Sequence, residues 1–466
     1  MADLKHGVAL RIIKISNVVL MTVPFAICWY GYYASHTIYP FYNRGNWAMI
    51  ALFLALYVIY GKIYDAFQIS MNRIFEIIYS QGLAVVISDG IMYIITYLLT
   101  RHFPALLPLI GALFGQLILA AAWSALVHKW YFAVFPPKKS AVIYDKRPGL
   151  EVLVSEYGLE KKFDIRETIG VEACLSDLHR LNDMEVVFLS GVHSHERNII
   201  LKYCVEKEIS TYVIPRIGDT IMSGAKQMHM FHLPILSVGW YKPPIEYLFL
   251  KRLLDILVSS AAIVLTSPVM LLTAAAIKLT DGGPVFYRQC RLTKNGREFF
   301  ILKFRSMCVE AEKDGVARLS TGGYDNRITP VGRIIRKFRI DELPQLFNIL
   351  FGSMTLVGPR PERPEIAKQY TERLPEFALR LKSKAGLTGY SQVYGKYNTQ
   401  PYDKLQMDLM YLAHPGIIED LRIIFSTIKI LFLPESTEGI AAGQTTAALE
   451  MEPEDIGDGA DEKNRT

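Results

Sequence analysis

The sequence predicts a membrane protein of mixed class, an all-α unit followed by an α/β domain and an α+β domain. Three observations predict it. Residues 1–135 hold four long apolar stretches, residues 138–240 alternate short apolar runs with amphipathic ones, and residues 245–433 open on one more apolar run with a proline near its middle. Apolar residues make up 51% of the 466, and the mean hydropathy is +0.21. Both are high for a soluble protein and expected of a membrane protein with soluble parts.

The four stretches run near Ile12–Tyr33, Trp47–Tyr64, Leu83–Leu99 and Leu106–Val127. Each approaches the roughly 20 residues that span a bilayer. Trp29, Tyr30, Tyr32, Trp47, Trp130 and Tyr131 sit at or near their ends, as interfacial aromatics do. Lys5, Arg11, Lys14, Lys62, Arg73, Lys129, Lys138 and Lys139 gather on one side, against Arg44 and Arg101 on the other, so both ends of this four-helix transmembrane unit are expected in the cytoplasm. No small-residue cleavage signal precedes the later spans, which reads as a retained anchor. Asp89 lies inside the third stretch. An intramembrane carboxylate is either a functional site or a hydrogen-bonded packing group.

Pro136-Pro137 marks a boundary. Beyond it, residues 140–144, 161–165, 185–191 and 210–215 read as strands, with helices over Leu150–Tyr157, Val171–Asn182 and Glu196–Glu208 between them. That alternation predicts a doubly wound, Rossmann-like α/β domain with a parallel sheet. The glycine fingerprint for phosphate is missing: Asp145-Lys146-Arg147-Pro148-Gly149 follows the first strand. A structural or regulatory role is therefore favoured over dinucleotide chemistry.

The run Ile256–Ile277 is long enough to span. Pro268 opposes that reading, because it leaves the Val264 carbonyl without its N–H partner and biases Ser267 away from α geometry. Spanning would also carry the basic domain that follows across the membrane. A re-entrant helix over about 251–280, turning at Ser267-Pro268, keeps both flanks cytoplasmic. Arg252 and Asp255, three apart, can pair on one face. Residues 285–289 and 299–304 read as short strands after a Gly282-Gly283-Pro284 turn. Between Phe377 and Leu433 leucines and isoleucines recur among Arg380, Lys382, Lys404 and Arg422, as in helices that lie in a membrane interface or pack on a core. Residues 435–466 are acidic, small and expected to be disordered.

Chemistry concentrates between Arg333 and Glu362. The carboxylate pair Asp341-Glu342 precedes the apolar run Leu343–Phe351 and follows Arg333, Arg336, Lys337 and Arg339. A second cationic corner, Gly358-Pro359-Arg360-Pro361-Glu362, comes after it. This reads as a helix carrying acids at its N-terminus, where exposed N–H groups and the dipole suit phosphate. A carboxylate can be a nucleophile towards phosphorus, and a second can hold Mg²⁺ on phosphate oxygens. A lone Asp-Glu there is more often a helix cap; the matching pieces around it favour chemistry. Arg288, Lys303 and Arg305, on or beside the two short strands, are either solvated strand-end charges or, in a phosphate-transfer site, groups that neutralise diphosphate.

DELPQLFNIL and GSMTLVGPRPE resemble the bacterial sugar transferase family, the monotopic phosphoglycosyl transferases. The likeness continues in GPVFYRQCR, KFRSM, RITPVGRIIRKFR and KAGLTGYSQVYGKYN and covers roughly residues 245–433. With the membrane unit and middle domain, the chain is similar to the large WbaP-like members. The resemblance implies a catalytic domain on the cytoplasmic membrane face, seated by a re-entrant helix whose Lys251, Arg252 and Asp255 match the family's opening residues. It implies transfer of a hexose-1-phosphate from a UDP-sugar to undecaprenyl phosphate at a bacterial inner membrane, in the first membrane step of O-antigen, capsule or exopolysaccharide synthesis. Asp341 would attack the sugar-bearing phosphorus, and Glu342 would help hold Mg²⁺. Lys303, Arg305, Arg336 and Arg360, and less directly Lys396 and Asp408, would contact substrate. No nucleic-acid partner is expected. The membrane unit and α/β domain could pair two protomers as a homodimer.

Two positions depart from the family pattern, which often has Gly where Thr293 stands and Pro where Ala385 stands. The five cysteines (Cys28, Cys174, Cys204, Cys290 and Cys308) are scattered, suggesting neither a disulfide framework nor a zinc site. The net charge of +6 suits an anionic membrane face or phosphorylated substrates. A competing reading is a membrane-bound nucleotide-sensing scaffold in which Asp341-Glu342 only caps a helix; the cationic blocks argue against it.

Overall fold

The computed structural model describes residues 2–145, 149–239, 242–308, 327–395 and 399–431. The chain divides into two compact units, Met1–Ile214 and Pro215–Thr466.

The first unit opens with α1 (Ala2–Cys28), α2 (Asn43–Ile63), α3 (Ile74–Thr100) and α4 (Leu107–Val134). All four are long and apolar enough to cross a membrane. Aromatic and amide groups lock them together. Phe25 stacks on Phe53 at 4.4 Å, Trp29 Nε1 donates to Asn46 Oδ1 at 3.0 Å, and Tyr57 OH donates to Asn17 Oδ1 at 2.7 Å. Polar partners of this kind matter inside a bilayer, where no water can satisfy a side chain. Asp89 is buried in the bundle beside Gln116.

The same unit continues with four strands, β1 (Lys138–Tyr144), β2 (Phe163–Gly170), β3 (Val186–Ser190) and β4 (Ser210–Val213). They form one parallel sheet in the order β2-β1-β3-β4. Helices α5 (Leu150–Glu156), α6 (Val171–Ser176) and α7 (Ser194–Glu206) connect them. Ser140, Ala141, Val142 and Ile143 are all fully buried, because a central parallel strand is covered on both faces. The expected helix over Val171–Asn182 is two pieces, α6 and a 3₁₀ turn at Leu178–Leu181 with Asp177 capping His179 N–H at 3.1 Å.

The second unit begins with α8 (Ile217–Ser223) and the hairpin β5 (Lys226–Met230) and β6 (Leu233–Ser237). The single long helix α9 (Ile245–Asp281) follows, with Pro268 inside it. Ser267 Oγ donates to the Val264 carbonyl at 2.8 Å, taking the acceptor that Pro268 leaves without a donor. This local repair keeps the segment helical through Ser267-Pro268, where the sequence reading expected the chain to turn.

Strands β7 (Phe286–Leu292) and β8 (Glu298–Phe304) form an antiparallel hairpin. Its turn places Asn295 and Gly296 at positive φ, so Thr293 keeps an extended backbone and needs no glycine there. Next come α10 (Pro330–Lys337), α11 (Gln345–Phe351), β9 (Thr355–Val357), α12 (Pro364–Arg373), β10 (Gly386–Thr388), α13 (Tyr390–Tyr394), α14 (Pro401–Ala413) and α15 (Ile417–Leu431). Strands β9 and β10 pair in parallel. Ile349, Met354, Leu405, Leu409 and Ile423 are fully buried and form the centre of this unit's core. Of the apolar residues expected to be amphipathic beyond Phe377, Leu379, Leu405, Leu409 and Ile424 serve core packing, while Ile418 and Leu421 are exposed.

The head of α9 is built into that core. Lys251 Nζ reaches Asp420 Oδ2 at 2.7 Å and Tyr411 OH at 2.9 Å. The sequence suggested that Arg252 pairs with Asp255; each instead serves a different element. Arg252 donates to the Ile349 and Leu350 carbonyls at 2.7 and 2.8 Å, closing the C-terminus of α11, where cations are favoured. Asp255 accepts from Thr355 Oγ1 and from the Leu356 N–H at 2.8 Å, anchoring β9. Partners three apart on a helix lose to backbone groups that otherwise would be buried without a hydrogen bond.

Candidate active site

Asp341 and Glu342 sit in a 3₁₀ turn, Ile340–Glu342, entered through Arg339 at φ 55°. The expected position at a helix N-terminus is corrected: α11 starts three residues later at Gln345, its N-cap is Pro344, and no side chain caps it. Asp341 therefore does not cap α11. A seven-residue helix also contributes little dipole, so side chains set the charge here.

The two acids have different surroundings. Glu342 Oε1 accepts from Lys303 Nζ on β8 at 2.9 Å and from Arg360 Nη2 at 3.5 Å. Burial opposes its ionisation, but Lys303, Arg360 and Arg339 outweigh burial and hold its carboxyl well below the usual carboxylate range. Asp341 is buried, and among the described residues its Oδ1 has no hydrogen-bond partner. Burial and then the charge of Glu342 push it up to about 6, against the pull of Lys303, Arg336 and Arg339. Adjacent carboxyls whose environments drive them apart commonly take different chemical roles.

A cleft of about 250 Å³ opens on Glu342, lined also by Arg291, Lys303, Gln345, Arg360 and Gly386 among others; Asp341 is buried and is not among the lining residues. The chain backbone closes one wall: a Cβ on Gly386 would collide with the backbone of Gly358, so these two loops pass at a distance only glycines permit.

The sequence-predicted residues divide accordingly. Asp341, Glu342, Lys303 and Arg360 come together, with Arg336 close enough for its charge to act on Asp341. Arg305 is buried against Gly283 at the end of β8 and is not among the residues lining the cleft. Asp408 is buried too, in an ion pair with Arg380 at 2.6 Å, also away from the lining. Lys396 lies outside the described residues. The sequence reading missed Arg291 and saw Arg380 only as part of an amphipathic stretch; nothing in either's local sequence separates it from a surface arginine.

Among the described residues no group of three or more His, Cys, Asp or Glu could hold a metal by itself. Mg²⁺ commonly binds through one or two carboxylates plus substrate phosphates. The buried Asp341 Oδ1, without a hydrogen-bond partner among the described residues, and the neighbouring Glu342 fit that smaller donor set.

Residues 246–434 match the bacterial sugar transferase family. The UDP-glucose:undecaprenyl-phosphate glucose-1-phosphate transferase of Caulobacter vibrioides is 39% identical over 191 residues, 40% of this chain and 71% of that protein. This chain belongs to the bacterial sugar transferase family. Another relative of this bacterial sugar transferase is the exopolysaccharide production protein ExoY of Rhizobium meliloti, 36% identical over 196 residues, 39% of the chain and 85% of that protein. A third is the UDP-N-acetylgalactosamine-undecaprenyl-phosphate N-acetylgalactosaminephosphotransferase of Aeromonas hydrophila, 39% identical over 234 residues, 50% of the chain and 54% of that protein. The matched region spans about half the length of the first curated relatives. The acid pair and its cations all lie within the family region.

Proposed function

We propose that this bacterial sugar transferase moves a hexose-1-phosphate from a UDP-sugar to undecaprenyl phosphate, in the initiating membrane step of polysaccharide synthesis. The observation that carries the reading is the asymmetry of the acid pair. Glu342 is neutralised by Lys303 and Arg360, while Asp341 keeps an unpartnered oxygen beside them. Asp341, ionised near neutral pH, attacks the sugar-bearing phosphorus. An Asp341 Oδ–P bond forms as the bond from that phosphorus to the bridging oxygen breaks, and UMP leaves with that oxygen. An undecaprenyl phosphate oxygen then attacks the same phosphorus and frees Asp341, giving undecaprenyl-diphosphate-sugar. This is double displacement through a phospho-aspartyl intermediate. Lys303 and Arg360 offset charge on the diphosphate. Mg²⁺, which Glu342 would help hold together with substrate phosphate, would supply further neutralisation.

The domain lies on the cytoplasmic face of a bacterial inner membrane, with α9 bending at Pro268 while remaining helical, so that it enters and leaves by the same side. The two ends of α9 support this. Lys251 and Arg252 are gripped by α15 and α11, and Met270 and Ile277 pack with Phe304 and Ile335 of the same unit. Between them Val264, Leu265, Leu271 and Leu272 are each at least 72% exposed, a surface suited to lipid. A helix held at both ends by one domain does not carry that domain across.

The test is UMP release by the purified full-length protein with undecaprenyl phosphate, Mg²⁺ and a panel of UDP-sugars, with trapping of labelled sugar phosphate on the protein. Sugar phosphate bound to Asp341 supports the reading. Turnover without label on the protein, unchanged in Asp341→Asn, overturns it.

A further inference from the structure

The loop Gly358–Glu362 brings Arg360 to Glu342, yet Pro359 and Pro361 supply no N–H to hold it. Its carbonyls do the work. Pro359 O accepts from Gly386 N–H at 2.9 Å, and Glu362 O accepts from Leu292 N–H at 3.0 Å. The two carbonyls between them are taken by arginines, one buried and one half-buried: Arg360 O by Arg380 Nη2 at 3.0 Å, and Pro361 O by Arg291 Nη1 at 3.0 Å. Four consecutive carbonyls are thus each held by a separate donor.

The arginines are themselves fixed. Arg380 is 3% exposed and pairs with Asp408, 1% exposed, at 2.6 Å. Glu362 reaches Arg380 at 3.5 Å and Arg291 at 4.0 Å with different carboxylate oxygens. A buried ion pair of this kind is costly and weak evidence for stability alone. Its geometry here is directed at one backbone segment.

We propose that Asp408 and Arg380 are positioning residues for Arg360: Asp408 orients the Arg380 guanidinium, and Arg380 holds the Arg360 carbonyl so that the Arg360 side chain meets Glu342. This rests on the phosphotransfer reading above. It also gives Asp408 a role that needs no contact with substrate.

The experiment uses the full-length protein in lipid nanodiscs with undecaprenyl phosphate, Mg²⁺ and UDP-glucose or UDP-N-acetylgalactosamine, and measures kcat per folded molecule. Asp408→Asn and Arg380→Lys each lower kcat by about tenfold or more, since a displaced catalytic group commonly costs that much. Asp408→Glu recovers part of the loss. In an Arg360→Ala background Asp408→Asn adds little, because both changes act through one group. Multiplying penalties would overturn the proposal, as would wild-type kcat in both single variants. A second readout needs no turnover: amide hydrogen exchange across 355–365 rises in Asp408→Asn and Arg380→Lys while the rest of the core stays protected. Unchanged exchange there also overturns it. Failure of the underlying reaction reading looks different, since Asp341→Asn would then turn over like wild type.

Discussion

Lys303 Nζ lies 2.9 Å from Glu342 Oε1, and this contact separates the two acids of the site. It ties the acid pair to the open end of the β7–β8 hairpin and makes Glu342 an ionised partner of cations. Asp341, one residue earlier, is left with an oxygen that no described residue binds.

Asp341→Asn removes the proposed nucleophile and keeps its shape. UMP release should fall by about three orders of magnitude, the scale of losing a covalent nucleophile. Glu342→Gln should lower activity less and weaken its dependence on Mg²⁺. Steady-state assays on matched amounts of folded protein decide between them.

Acid should switch the enzyme off. Asp341 is raised from 3.8 to about 6, so turnover should drop as pH falls through about 6 and the nucleophile gains a proton. The stability effect has the opposite sign from that of a paired carboxylate. With the folded value above the unfolded one, the ionised form is penalised in the fold; that penalty is absent below about pH 4 and complete above about pH 6. Asp341→Asn should therefore melt at a higher temperature than wild type at pH 8 and at a similar temperature at pH 4. Equal melting temperatures at pH 8 would contradict the raised value.

The Lys251–Asp420 pair, with side chains 10% and 4% exposed, joins α9 to α15. Removing one partner strands the other as a buried charge, at a cost of about 3–5 kcal/mol. Asp420→Asn should lower the melting temperature, and Lys251→Met/Asp420→Leu should recover much of the loss. Thermal unfolding in detergent checks both.

Thr293 and Ala385, the two departures from the family pattern, meet each other. The Ala385 N–H donates to Thr293 Oγ1 at 3.1 Å, and the Thr293 hydroxyl lies 3.2 Å from the Ser353 carbonyl. Pro at 385 would remove that donor, and Gly at 293 would remove its acceptor. Thr293→Gly or Ala385→Pro alone should cost about 1–2 kcal/mol, the range for leaving one partner unmet. The double variant should cost clearly less than the sum. Strict additivity in denaturant titrations would remove the coupling.

Much of this architecture was readable in one dimension because its signals are local. Four apolar runs of bilayer length are α1–α4. The alternating stretch from Ser140 to Pro215 is a parallel sheet with three strands where the apolar runs stood; the second, β2, starts at Phe163 and runs on to Gly170, past the expected 161–165. Short strands such as β9 and β10 were missed; three residues carry no usable period. The acid pair stood out by its cations, yet its backbone did not: Arg339 adopts a left-handed conformation that ends α10 and places the acids in a turn of their own.

By itself the sequence determined the apolar helices long enough to cross a membrane, the alternation that becomes the parallel sheet and the run of ionisable residues around Asp341, because residue type and spacing act over a few neighbours. Only the tertiary structure decided the partners. Glu342 finds Lys303 thirty-nine positions away and Arg360 eighteen away. Arg252 passes over Asp255 for the carbonyls of α11. Asp408, one acid among several on an amphipathic helix, is buried against Arg380. A buried charge must take whichever opposite charge or open carbonyl the packed core leaves within reach, and that choice is made in three dimensions.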